Sequence, residues 1–126
     1  MAGIVVRATH YPGRAPVDAY GNGGFRFAGM SHRGSLLCLP SGIYGWDPDG
    51  RIDRETLAKV FEEAGGIEVL LVGTGREVTP LAPDLAAALR EQGIVADAMS
   101  TGAAVRTFNV LLAEDRPVAA ALMAVD

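Results

Sequence analysis

The chain has 126 residues, of which 49% are apolar and 21% are charged, and its formal net charge is −4. This length and balance are typical of one globular domain with a buried core, and they exclude a disordered chain. Lys59 is the only lysine and the arginines form no cluster along the sequence, which argues against nucleic-acid binding. We therefore expect a single domain over residues 1–126.

The compartment is indicated by cysteine usage and by the lengths of the apolar runs. Cys38 is the only cysteine, so an intramolecular disulfide is impossible and a reducing environment fits. The apolar run at residues 4–6 is too short for a signal peptide. No stretch approaches the roughly 18 apolar residues that a membrane span needs. We predict a cytoplasmic protein without a membrane span.

The N-terminal part, residues 1–45, predicts short and mainly antiparallel strands. It is rich in glycine and aromatic residues and shows no helical period. Strands are predicted at residues 4–6, 25–27 and 35–39. Asn22-Gly23 is a strong signal for a two-residue hairpin turn.

The C-terminal part alternates between helical and strand patterns. Asp53 is a candidate cap for a first helix over residues 54–64. The pattern then predicts a strand at 67–72, a helix at 83–92, a strand at 94–96, a helix at 101–113 and a closing strand at 118–122. Strands that alternate with helices favour a parallel core sheet with right-handed crossovers, which the N-terminal strands would extend or cover.

Two loops follow predicted strands and would meet at one edge of the sheet. They are residues 73–76 and residues 99–102, and ligands of such sheets bind outside the carboxyl ends of the strands. Their glycines permit close approach, their hydroxyl groups can orient a polar group, and a helix N-terminus attracts anions. The candidate ligand-binding residues are Thr74, Gly75, Arg76, Ser100, Thr101, Gly102, Arg106 and Asn109.

Each candidate also has a structural interpretation. The Gly-Thr-Gly loop is equally explained as a tight turn, because it lacks the spaced glycines of a dinucleotide fingerprint. Thr101 could simply cap the helix. Arg106 is expected on a covered surface, where it would be paired, stacked or in contact with a ligand. Asn109 borders the core face, so a bracing role is the default for its amide.

The sequence contains no recognisable catalytic or metal-binding set. Cys38 lies between leucines and is predicted to be a core residue. The two histidines lack ligand spacing, and the acidic residues at 47, 49 and 53 lack the glutamate that ends a calcium-binding loop. A Gly-x-Ser-x-Gly elbow, a phosphate-binding loop and an HExxH motif are all absent from the sequence. We therefore predict no metal and no cofactor.

Four motifs follow one another along the chain, namely Tyr20-Gly-Asn-Gly-Gly-Phe25, Leu71-Val-Gly-Thr-Gly75, Met99-Ser-Thr-Gly-Ala-Ala104 and Arg106-Thr-Phe-Asn109. Together they resemble the Mth-type domain of unknown function, a family that includes mitochondrial assembly proteins of respiratory complex I. The resemblance implies a three-layer α/β domain with a mixed central sheet, and it supplies no catalytic residues. Ser100 and Phe108 depart from the aspartate and tyrosine expected in the family, which weakens an acid–base role at these positions.

Two functional hypotheses follow. The first is a non-enzymatic binding or assembly factor that uses the edge at residues 73–76 and 99–109 to contact a protein partner. The second is a small enzyme or metabolite-binding protein that accepts a small anionic ligand between residues 73–76 and 99–106. The first is favoured because the sequence positions neither a nucleophile nor a general base.

Overall fold

A computed structural model of the chain describes residues 9–126, with only the backbone of Thr9 and His10. The strand predicted at residues 4–6 lies outside this range. The described strands are β1 (Thr9–Tyr11), β2 (Val17–Gly21), β3 (Gly24–Phe27), β4 (Met30–Arg33), β5 (Ser35–Leu39), β6 (Gly42–Trp46), β7 (Val69–Gly73), β8 (Val95–Met99) and β9 (Val118–Leu122). The helices are α1 (Ala58–Glu62), α2 (Pro83–Glu91) and α3 (Thr101–Ala113), with a 3₁₀ turn at Ala64–Gly66.

The larger sheet has the order β1-β6-β5-β9-β7-β8 and is mixed. Strand β7 pairs in parallel with both β8 and β9, whereas β5 pairs antiparallel with β6 and β9. The predicted order of strand, helix, strand, helix and strand is confirmed in β7-α2-β8-α3-β9. Because β8 and β9 lie on opposite sides of β7, crossovers of one hand place α2 and α3 on opposite faces of the sheet.

Strand β9 is central because its side chains are apolar on both faces. Val118, Ala120 and Leu122 contact the core layer that contains α3. Ala119 and Ala121 contact the opposite layer, which contains α1 and α2. All five residues are buried, as is typical of a strand covered on both sides. The result is the three-layer α/β domain that the family resemblance implied.

The predicted hairpin turn is confirmed and builds a second sheet, β2-β3-β4. Asn22 and Gly23 have φ angles of 53° and 79°, which is the left-handed conformation that this turn requires. Phe25 and Phe27 of β3 are buried in the same core cluster as Phe108 of α3. Strands β1, β5 and β6 extend the larger sheet, as expected, whereas β2–β4 form a separate sheet that packs in the same core layer as α3.

The first helix is shorter than the 54–64 predicted, because residues 53–57 form a turn with its own bonds. The Asp53 carboxylate accepts from the Thr56 amide at 2.8 Å, and the Asp53 amide donates to Thr56 Oγ1 at 3.0 Å. The Trp46 indole donates to the Thr56 carbonyl at 2.8 Å, so this carbonyl bonds to a side chain. Asp53 therefore caps a turn before α1, and the Thr56 amide holds the pKa of its carboxyl below the usual range.

Cys38 is a buried residue of β5, as predicted, and burial raises the pKa of its thiol to about 12. We expect Ellman's reagent to modify the native protein at least on the order of 100-fold more slowly than the unfolded protein, since the thiolate is the reactive form. Absorbance with and without guanidinium chloride measures the two rates. Equal rates would show that Cys38 is accessible in the native state.

The same shift gives stability a pH dependence. The folded thiol keeps its proton above the ordinary pKa of 9.0, whereas the unfolded thiol loses it. The contribution to stability is therefore complete below about pH 9 and is lost as the pH rises towards 12. Cys38→Ala is the control, because this variant should lack the part of the fall in unfolding free energy with rising pH that Cys38 contributes.

Candidate functional site

The two predicted loops lie side by side at the carboxyl edge of β7 and β8. Gly73 at the end of β7 is in register with Met99 at the end of β8. One residue further on, the Thr74 amide donates to the Met99 carbonyl at 2.9 Å. A Cβ built on Gly73 would stand 2.9 Å from Thr101 Cα, so only glycine permits this approach of the two segments. The adjacency expected from the strand pattern is confirmed.

Thr101 joins three segments through one buried hydroxyl. Its Oγ1 accepts from the Gly75 amide at 3.0 Å and donates to the Met123 carbonyl at 2.7 Å. The Thr101 amide also donates to the Gly75 carbonyl at 2.8 Å, and the residue is fully buried. The helix cap is Ser100, whose Oγ accepts from the Ala103 amide at 3.3 Å, so the expectation that Thr101 is the cap is wrong.

Thr74 is bonded within its own loop. Its hydroxyl donates to the Glu77 carbonyl at 2.7 Å and accepts from the Thr79 amide at 2.9 Å. These bonds close the turn that follows β7. They agree with the structural interpretation of the Gly-Thr-Gly loop as a tight turn.

The first turn of α3 is less open than its small residues suggest. The amides of Thr101, Ala103 and Ala104 donate to Gly75, to the Ser100 hydroxyl and to the Ser100 carbonyl, respectively. The Tyr20 ring from β2 lies against Gly102, where an added Cβ would stand 2.9 Å from Tyr20 Cζ. Sequence reasoning missed Tyr20, because no local signal connects a residue of β2 with a helix start about eighty positions later.

Asn109 braces α3 against the smaller sheet, as its default interpretation predicted. Its Oδ1 accepts from the Val17 amide at 2.9 Å, and its Nδ2 donates to the Val17 carbonyl at 2.8 Å. Val17 is buried, so these bonds satisfy backbone groups that water cannot reach. Among the described strands β2 pairs only with β3, and the Asn109 amide bonds the backbone of β2 in place of a strand on its other edge.

The arginines of the edge are exposed. Arg76 donates to the Asp126 carbonyl at 3.4 Å. Arg106 faces solvent on α3, and Val110, one turn further on, is 57% exposed. The expectation of a covered surface around Arg106 is wrong, because α3 buries only the face that contains Ala104, Val105 and Phe108.

We call the surface formed by residues 73–76 and 99–109, at the carboxyl ends of β7 and β8, the carboxyl edge. It contains a shallow depression of about 310 Å³, lined by Tyr20, Gly75, Arg76, Ser100, Gly102, Arg106, Val125 and Asp126. The depression combines two exposed guanidinium groups with an aromatic ring and small residues. Thr74, Thr101 and Asn109 do not line it, because their side chains are engaged inside the fold.

Within residues 9–126, no group of three or more histidine, cysteine, aspartate or glutamate side chains could hold a metal ion. The longest described helix, α3, has 13 residues, and none of the helices in this range combines the length and apolarity that crossing a bilayer requires.

The fold and the carboxyl edge define a small three-layer α/β domain with exposed arginines at the ends of its parallel strands. The chain belongs to the family described as "Protein of unknown function (DUF498/DUF598)", whose model matches residues 17–123. A Bordetella pertussis protein described as an Mth938-like domain is 30% identical with a TM-score of 0.73, and the match covers 86% of this chain and 85% of that protein. The resemblance to the Mth-type domain is confirmed.

Two curated relatives differ in how much of them the chain matches. An uncharacterised Rhodobacter capsulatus protein is 38% identical, with 93% of this chain and 90% of that protein covered. The mouse protein named NADH dehydrogenase [ubiquinone] 1 alpha subcomplex assembly factor 3 is 30% identical over 95% of this chain. The chain spans 66% of the mouse protein, so about a third of that protein has no counterpart in the match.

A solved structure agrees closely with the fold. A Bartonella henselae protein described as an outer membrane protein is 63% identical, with a TM-score of 0.90 and coverage of 93% of this chain and 100% of that chain.

Proposed function

We propose that the chain is a non-enzymatic binding or assembly factor that contacts a protein partner through the carboxyl edge. This proposal rests on a contrast between the polar side chains in and next to the carboxyl edge. Thr74, Thr101 and Asn109 are bonded within the fold, whereas Arg76 and Arg106 face solvent. The hydroxyl and amide side chains that could act in catalysis are therefore hydrogen-bonded within the fold. The exposed side chains are arginines, which are common in binding surfaces.

The composition of the edge supports a protein partner. Tyr20 is 43% exposed and Val110 is 57% exposed, and both lie near the exposed Arg106. Tyrosine and arginine are the residue types enriched at the energetic centres of protein interfaces. The assembly-factor name of the mouse relative agrees with this class of function. We keep the cytoplasm as the proposed compartment.

A small anionic ligand is the second candidate, and the depression of about 310 Å³ favours it. Arg76 and Arg106 line this space and could neutralise a phosphate or carboxylate group. Asp126 lines the same depression and offsets part of the positive charge of the two arginines. Tyr20 lies against Gly102 and covers part of the N-terminus of α3. We therefore place this candidate second.

Charge reversal at Arg106 tests the first proposal. Tagged wild type, Arg106→Glu and Arg90→Glu would be used to recover partners from cytoplasmic and membrane fractions of the native cell, with quantification by mass spectrometry. Arg90 is a matched control because it is an exposed arginine on a helix of the opposite layer. We expect Arg106→Glu to lower recovery of the specific partners about tenfold and Arg90→Glu to leave it unchanged.

Equal recovery by both variants, with circular dichroism showing that both are folded, would exclude Arg106 from the partner surface. Calorimetric titration of wild type and Arg106→Glu with inorganic phosphate tests the second candidate. Saturable binding that Arg106→Glu abolishes, together with unchanged partner recovery, would favour the anionic ligand over the partner.

A further inference from the structure

The smaller sheet presents a second basic surface, on the side away from the core. Arg26 of β3 is in register with Ser31 of β4, and Gly24 is in register with Arg33. Since side chains alternate along a strand, these four residues share one face and Phe25 and Phe27 take the other. The two phenylalanines are buried and the two arginines are exposed, so the arginine face is the outer one.

The outer face carries a depression that both arginines and several small residues border. This depression has a volume of about 380 Å³, and its lining includes Arg26, Arg33, Ala19, Gly21, Gly24 and Ser31. A Cβ built on Gly24 would collide with the His32 carbonyl of the neighbouring strand, so only glycine fits at this position. Serine and glycine thus stand opposite the two arginines, and the depression that they border is accessible to an incoming group.

The charges on this face are unbalanced. Within residues 9–126, neither Arg26 nor Arg33 forms an ion pair, although the chain carries a net charge of −4. Three other described arginines have carboxylate partners, namely Asp115 for Arg14, Asp53 and Glu55 for Arg51, and Glu114 for Arg116. Asp18 is the acidic residue of β2, and among the salt bridges of the described residues it pairs with neither arginine. Two like charges at diagonal positions of one sheet face gain from a shared anion.

We propose that Arg26 and Arg33 form an oxyanion site that takes a phosphate or carboxylate group on the outer face of the smaller sheet. Each guanidinium fork can bond two oxygens of such a group, and the Ser31 hydroxyl lies on the same face. The oxyanion comes either from a small molecule or from an acidic protein segment. Tyr20 borders both this depression and the one at the carboxyl edge, but Arg26 and Arg33 line only the former, and Arg76 and Arg106 line only the latter. The proposal therefore uses different arginines and does not depend on the function proposed for the carboxyl edge.

NMR titration of the ¹⁵N-labelled chain tests this site. The probes are inorganic phosphate and a tetraglutamate peptide, with sodium chloride at equal ionic strength as the control. We expect saturable shifts of the Gly24 and Ser31 amides with at least one probe, at a dissociation constant on the order of 1 mM in low salt. Tighter binding of phosphate would assign the site to a small molecule, and tighter binding of the peptide would assign it to an acidic segment.

Two double variants with the same loss of charge separate this site from the carboxyl edge. Arg26→Gln with Arg33→Gln should weaken binding at Gly24 and Ser31 about tenfold, whereas Arg76→Gln with Arg106→Gln should leave it within about twofold. The proposal is overturned if neither probe gives saturable shifts there, if the first double variant keeps them, or if the shifts concentrate on Gly75 and Gly102. Partner recovery with Arg106→Glu is an independent readout, so the two proposals can fail separately.

Discussion

Replacing Thr101 by valine should lower the free energy of unfolding by about 3 kcal/mol, because it removes a buried hydroxyl and keeps the shape. The Gly75 amide would lose its acceptor and the Met123 carbonyl would lose a donor, at a residue that is fully buried. Chemical denaturation measures the change. Hydrogen exchange should quicken at the Gly75 amide in particular, since Thr101 Oγ1 is the acceptor for this amide.

Thr101→Ser is the matched control. It keeps the hydroxyl and loses one methyl group, so we expect a cost of about 1 kcal/mol from burial alone. A valine variant as stable as the serine variant would show that the hydroxyl does not hold the three segments together.

Replacing Asn109 by alanine should cost about 2–4 kcal/mol, since it leaves both the amide and the carbonyl of buried Val17 without their side-chain partner. Loss of this bridge should loosen the contact between α3 and the smaller sheet. Thermal or chemical denaturation gives the magnitude, and hydrogen exchange at Val17 reports the local effect. Thr107→Ala, two residues earlier on α3, is the control and should cost less than about 1 kcal/mol.

Asn109→Asp distinguishes this bridge from simple packing. An ionised carboxylate accepts from the Val17 amide but has no proton to donate to the Val17 carbonyl. The aspartate variant should therefore regain part of its stability, relative to the alanine variant, as the pH falls and its carboxyl takes up a proton. A constant difference between the two variants from about pH 7 to pH 4 would contradict the bridge.

These two residues show why the carboxyl edge is interpreted as a surface for binding. Thr101 and Asn109 are polar side chains in a helix at the end of parallel strands, where sequence reasoning places ligand contacts. Within the fold, the Thr101 hydroxyl bonds to Gly75 and Met123, and both polar atoms of the Asn109 amide bond to Val17. The exposed arginines are the groups that the proposed partner or anion would contact.

The sequence by itself determined the elements whose patterns are local. The apolar run before Gly73, the small residues that start α3 and the Asn22-Gly23 pair each act within a few residues, so β7, α3 and the hairpin turn were predicted. The strand order then placed residues 73–76 beside residues 99–102. The predicted length of the first helix was wrong because the indole of Trp46, seven positions before Asp53, donates a hydrogen bond to the Thr56 carbonyl.

Only the tertiary structure decided how the segments meet. Strand β9 is inserted between β5 and β7, Tyr20 lies against Gly102, and Asn109 bonds Val17 across 92 residues of sequence. Such contacts depend on the packing of three layers, and no local pattern encodes them. Arg106 is exposed because the fold covers the other side of α3. In the same way, Arg26 and Arg33 share an outer face because the opposite face of the smaller sheet is covered. Residue types thus supplied the candidates, and long-range packing determined which of their side chains are exposed.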